Sequence, residues 1–169
     1  MGGISPWYGR QFEFAFPADL YSNLCVRLRG TPARVEELVR NCSREVLTRK
    51  PDGKWSAQEH VGHLADLEPL WLKRLEDYVQ DRSELSTTDL SNRKTFEANH
   101  NARALEDILA DFRRARIGLV ARAAEVDARL YSRVLMHPRL QKPMRLVDHL
   151  FFVAEHDDHH LAGIWRFIH

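Results

Sequence analysis

Nine histidines are spread over the 169 residues, and His149, His156, His159 and His160 crowd into one stretch near the end. On a helix, residues four apart stand one above the other with roughly 5–6 Å between Cβ atoms, close enough for two imidazoles to reach one metal ion. His156 and His160 meet that requirement as H-x-x-x-H, and His156 with His159 meets it at three-residue spacing. Val153, His156, His160, Ile164 and Phe167 fall on one line, whereas His159 falls with Phe152, Glu155 and Arg166 on a more polar flank. The 156/160 pair is therefore preferred. Two imidazoles facing a core need a partner, because an unpaired buried polar group costs roughly 1–3 kcal/mol, and a metal ion supplies one. The competing reading is a solvated, titrating cluster beside Asp157 and Asp158. A third ligand would come from His60 or His63, three apart on an earlier helix, and spacing alone leaves both open.

The elements that must carry these residues are helical. Gln11–Phe16 alternates, with Phe12, Phe14 and Phe16 on one side, and reads as an extended segment laid against the core. Pro17 or Asp19 then starts a helix with Leu20, Leu24 and Leu28 on its stripe. Gly30 and Thr31-Pro32 are expected to interrupt it, with Thr31 capping a second segment. Whether residues 18–48 form one bent helix or two is left open. Pro51-Asp52-Gly53 reads as a turn. Ser56 and Glu59 form an S-x-x-E capping box that starts a helix running to about Tyr78, bent at Pro69. Residues 81–94 read as a loop. A third long helix is expected over about 96–128, its stripe holding Leu105, Leu109, Phe112, Leu119, Ala123, Val126 and Leu130. A loop with His137-Pro138 and Pro143 follows, and a last helix runs from about Arg145 to Phe167. The predicted fold is all-α: a four-helix bundle over residues 17–169 with a short N-terminal extension, 1–16. Trp55, Trp71 and Trp165 are expected in the core.

Composition narrows the function. The 25 basic and 24 acidic residues leave a formal charge of +1, which provides no general attraction to nucleic acid or to anionic membranes. Two cysteines, Cys25 and Cys42, are too few for a disulfide framework or a thiolate zinc site and point to a reducing compartment. The first 16 residues lack a basic start followed by an apolar run, so a secretory signal is not expected. A cytoplasmic location is the expectation.

The run Lys54 to Glu68 (KWSAQEHVGHLADLE), followed by Trp71 and Arg74, resembles the second helix of the DinB-like (DinB/YfiT) metalloprotein superfamily. The run His156 to Ile164 (HDDHHLAGI) is similar to that superfamily's closing motif, and His137-Pro138 with Met144 fits the same pattern. The resemblance spans about Thr31 to Phe167. It implies a four-helix bundle holding one divalent ion, zinc, nickel, iron or manganese, with His63, His156 and His160 as ligands. Gly163 departs from the pattern, standing where many relatives carry a larger or polar residue, and is expected to leave room near the metal. Three protein ligands leave coordination positions open, as catalytic sites do. Superfamily members include thiol transferases, thiol-dependent isomerases and presumed hydrolases. The expectation is thus a metal-dependent thiol S-transferase or hydrolase; the alternative is a non-catalytic metal-binding stress-response bundle. The expected partners are a small-molecule substrate, such as a low-molecular-weight thiol, and a second copy of the chain in a homodimer.

No single catalytic base stands out. Arg116 interrupts the third helix's apolar stripe, where it would either clamp a substrate carboxylate or sit at the edge with its head in solvent. Glu59 and His159 are further candidates for supporting a ligand or touching substrate, although capping already explains Glu59.

Overall fold

The computed structural model describes residues 6–50 and 53–169; the turn expected at Pro51-Asp52 lies outside them. Four long helices form the bundle: α1 (Tyr21–Val39), α3 (Ala57–Val79), α5 (Leu105–Ala124) and α6 (Leu146–Ile168). Short helices α2 (Arg44–Thr48) and α4 (Arg93–Glu97) lie between them. Both α1 and α3 pack on α5 and on α6, so α1 lies diagonally opposite α3 and α5 opposite α6. Chain-adjacent long helices are thus diagonal partners twice, and neighbours only for α3 and α5.

The capping box forms as expected: Ser56 Oγ accepts from Glu59 N–H at 3.1 Å, and the Glu59 carboxylate accepts from Ser56 N–H at 2.8 Å. Phe12 is buried and Phe14 and Phe16 half-buried, as an extended segment on the core requires. On α3, Leu64, Trp71, Leu75 and Tyr78 are buried.

Several boundaries differ from the sequence reading. Gly30, Thr31 and Pro32 do not interrupt α1, and the break falls at residues 40–43, where Ser43 caps α2. Pro32 has no N–H to give to the Leu28 carbonyl one turn back, and the Arg116 guanidinium takes that carbonyl instead at 3.1 Å. Thr31 is not a cap: its hydroxyl donates to Asp157. The expected 96–128 helix is shorter at both ends. Asn92 and Asn99 adopt the left-handed conformation that asparagine tolerates better than most residues, at the starts of α4 and of a 3-10 turn (His100–Ala102), and extended Arg103 and Ala104 separate that turn from α5. Gln58 holds that turn by donating to the carbonyls of His100 and Arg103. Residues 93–94, expected as loop, belong to α4. The stretch around His137-Pro138 is not a plain loop. Strands β1 (Val134–His137) and β2 (Lys142–Arg145) pair antiparallel, with Leu135 opposite Met144 and both buried. Leu20 and Trp165, expected inside, are exposed at 37% and 54%, respectively.

The apolar core divides into two clusters, one around Leu28, Trp71, Leu119 and Val153, the other around Val35, Leu64, Phe112 and Ile164. Between them lies a polar layer with one residue from each long helix: Thr31, Glu68, Arg116 and Asp157, all buried. Arg116 spends all five N–H groups there. Nε donates to Glu68 (3.1 Å), Nη2 to Glu68 (2.5 Å) and Asp157 (3.1 Å), and Nη1 to Asp157 (2.5 Å) and the Leu28 carbonyl. Removing one member of such a set leaves buried charge uncompensated, at a cost of about 3–5 kcal/mol. Arg116→Ala should therefore lower unfolding stability by about that amount, far more than Arg129→Ala at an exposed pair; urea titration of both variants checks this.

Candidate metal centre

His63 sits on α3, about two helical turns beyond the capped start, and His156 and His160 on the facing side of α6. All three are buried, and one ring nitrogen from each lies within 4.8 Å of the others. The Nε2 atoms of His156 and His160 are 3.2 Å apart. Ligand bonds of about 2.0–2.1 Å bring two nitrogens on a shared ion to roughly this separation.

Neighbouring groups orient the rings. The His63 Nδ1 is 3.0 Å from the Thr95 hydroxyl, which itself donates to Asp66 at 3.0 Å. A hydroxyl that has given its only proton to a carboxylate can only accept from the imidazole. His63 therefore carries its proton on Nδ1 and leaves the Nε2 lone pair free. Asp66 also accepts from His100 Nε2 at 2.8 Å. Burial opposes the Asp66 charge, but the hydrogen bond from His100 prevails and holds the carboxyl below its usual range. The His100 ring lies directly over Gly62, where a Cβ would overlap it. On the other side, His160 Nδ1 meets His60 Nδ1 at 2.8 Å. His60 is thus a partner of a triad member rather than its replacement. Gly163 makes room for the His60 ring, whose nearest carbon would stand 3.1 Å from an added Cβ; the space expected beside the metal is filled by imidazole.

Trp7, Trp55 and Trp71 wall the site, with ring centroids 5.0 Å (Trp7) and 5.5 Å (Trp71) from His156 and 4.6 Å (Trp55) from His63. The solvated-cluster reading is excluded by this burial. Desolvation is the main cause that lowers four of these imidazoles, to about 3 for His63, about 4 for His60 and well below the usual value for His156 and His160. Neutral imidazoles keep their lone pairs, which is the form a divalent ion requires. The buried Nδ1 of His156 has no hydrogen-bond partner. The donor set therefore fits a divalent metal ion.

A cavity of about 290 Å³ opens on the triad. His159, half-buried, lines it and stands edge-on to His160 at 5.2 Å. Arg116 does not reach into it: its fork is closed on Glu68 and Asp157, so neither the substrate clamp nor the solvent-exposed head is found. Nor does Glu59 support a ligand; its carboxylate is taken by Ser56 and Lys50. Sequence reasoning missed Trp7, Thr95 and His100, which reach the site from the extension and the α4 region with no periodic signal.

The sequence model of the DinB superfamily matches residues 27–164. The chain belongs to that superfamily. Among solved structures it resembles YfiT from Bacillus subtilis, described as a probable metal-dependent hydrolase with an unusual four-helix bundle topology. The likeness has a TM-score of 0.79 at 19% identity, over 94% of this chain and 91% of that one. A search of curated protein sequences finds no match.

The depressed imidazoles carry a pH dependence. Between pH 6.5 and about 4 the unfolded chain binds protons at these histidines and the folded chain does not. Stability therefore rises with pH across that window and is lost as pH falls, by about 1.4 kcal/mol per pH unit for each histidine involved. Denaturant titrations of metal-free protein at pH 7, 6, 5 and 4 should show this decline, and a His60→Asn, His63→Asn double variant should show a shallower one.

Proposed function

We propose that the protein is a metal-dependent enzyme acting on a small molecule, as a hydrolase or a thiol S-transferase. The observation that carries this reading is the convergence of three buried, neutral histidines on the wall of a cavity large enough for a substrate. A structural metal site is closed on all sides, whereas three ligands facing a cavity leave coordination positions open. A divalent ion there supplies Lewis acidity towards water, a thiol or a carbonyl group. His63, His156 and His160 would hold it, with Thr95, Asp66 and His60 keeping their rings in register. The three tryptophans exclude bulk water and strengthen every electrostatic interaction inside. His159 is the proton acceptor in this reading. Burial and the nearby Arg10 lower its pKa, so it is neutral near pH 7 with a lone pair to offer. The hydrolase assigned as probable to YfiT supports this choice of chemistry.

Turnover of ester and amide substrates, and consumption of a small thiol with an electrophile, should appear with zinc, nickel or manganese added. His160→Ala should abolish turnover and metal retention while circular dichroism stays unchanged, since alanine favours helix. Chelation should lower stability by about 2.7 kcal/mol when the ion stood at a hundredfold excess over its dissociation constant. If wild type and His160→Ala are equally inert across the panel while only wild type retains metal, the non-catalytic metal-binding reading replaces the enzyme.

A further inference from the structure

Two arginines on the cavity wall have no carboxylate. Arg74, on α3, is 1% exposed, and Arg139, in the turn between β1 and β2, is half-buried. Both line the cavity that opens on the triad. Each keeps a buried Nη2 without a hydrogen-bond partner, and neither forms an ion pair among the described residues. Arg74 Nε donates to the Ser86 carbonyl at 2.9 Å, and its Nη1 stands 3.2 Å from His137 Nε2. That last contact is not a satisfied one. His137 Nδ1 already accepts from the Leu140 N–H at 3.2 Å. A neutral imidazole accepting at Nδ1 carries its proton on Nε2, so Nε2–H faces a guanidinium N–H. Asp77, three residues on along α3, is engaged by the Ser86 N–H at 2.6 Å, and Glu76 is paired with Arg122. Asp89 lines the same cavity but is exposed, and its oxygens are taken within its own loop by Ser91 and Arg93.

The contrast with Arg116 is informative. There the fold places two carboxylates against one guanidinium; here two guanidiniums and an imidazole N–H have no carboxylate within ion-pair distance among the described residues, and Asp77 acts on Arg74 only from farther off. Aromatic faces partly stand in, with Arg74 5.5 Å over Trp71 and Arg139 5.9 Å over Trp7. Burial still disfavours both charges, lowering Arg74 to about 10. A buried cation without an anion is costly, and the missing counter-charge is supplied when an anion enters the cavity.

Building on the reading of this cavity as a substrate site, we infer that Arg74, Arg139 and His137 form an anion pocket that selects substrates bearing a carboxylate. A carboxylate matches the donors offered, unpaired nitrogens on both guanidiniums and one imidazole N–H. Its delocalised single charge is also less costly to desolvate than a phosphate dianion among tryptophans. The remainder of the substrate then lies towards the triad, with Trp7, Trp71 and Phe152 as its apolar surroundings.

The test uses the full chain at fixed ionic strength, both chelator-treated and zinc-loaded, titrated calorimetrically with 3-phenylpropionate, its neutral amide 3-phenylpropanamide, and phenyl phosphate. Metal-free protein should bind the carboxylate at least about tenfold more tightly than the amide. Loss of one charged hydrogen-bond partner corresponds to roughly a tenfold to hundredfold loss of affinity, expected for Arg74→Gln and for Arg139→Gln. Arg122→Gln, at a surface pair with Glu76, should change nothing. Arg139 lies in a turn, so its variant keeps the proposal testable should Arg74→Gln fail to fold. Equal affinity for acid and amide, unchanged binding in Arg139→Gln, or tighter binding of phenyl phosphate overturns the inference. Because the metal-free arm does not depend on the triad, a failed anion pocket is distinguishable from a failed metal site, which shows as zinc content unaffected by His160→Ala.

Discussion

The Arg116 guanidinium ties the four long helices together at one level. Glu68 of α3, Asp157 of α6 and the Leu28 carbonyl of α1 all accept from this one side chain of α5, and Thr31 of α1 completes the set through Asp157. Apolar packing alone leaves helices free to slide by a turn at modest cost, because one leucine resembles another. A charge buried among directional partners does not, since a one-turn shift strands it without hydrogen bonds. Asp157 is next to His156, and Glu68 lies five residues beyond His63. The register that satisfies Arg116 is thus the register that brings His63 opposite His156 and His160. Pro32 belongs to the same device, because the carbonyl it frees is the one Arg116 takes.

Two kinds of buried charge follow from this frame, and they have different consequences. Around Arg116 every donor is answered inside the protein, and the result is rigidity. Around Arg74 and Arg139 the donors are left over, and the result is a cavity with positive character beside a set of neutral imidazoles. The histidines remain neutral because burial penalises their charge and no carboxylate within reach reverses the effect; Asp66 is taken up by His100, Thr95 and the distant Lys94 ammonium.

The gross architecture was legible in the chain because it rests on local signals. Helical periodicity placed the long helices, and the Ser56–Glu59 box marked the start of α3 to the residue. Residues 156 and 160, four apart on an apolar line, had to share a face. Local information stopped where tertiary hydrogen bonds overrule propensity. Gly30-Thr31-Pro32 reads as a break, yet α1 passes through it because Arg116 satisfies the freed carbonyl. Phe96 to Arg103 reads as helix, yet Asn99 turns left-handed so that His100 reaches Asp66. The β-hairpin escaped because strands of four residues, one containing Pro143, carry almost no periodic signal.

The amino-acid order therefore settled which residues could serve as ligands and which helix faces they occupy, since 3.6-residue periodicity makes faces a property of local spacing. The choice between His60 and His63 was made by packing. Both lie near the inward face, but Thr95 orients His63 with its lone pair free, while Gly163 seats His60 behind His160. The part played by Arg116 was likewise decided only in three dimensions. A lone arginine in an apolar stripe reads equally as a substrate clamp or a surface residue until the positions of Glu68 and Asp157, 48 and 41 residues away, are known. Charge compensation is a relation between distant residues, and only the folded chain brings them within hydrogen-bond distance.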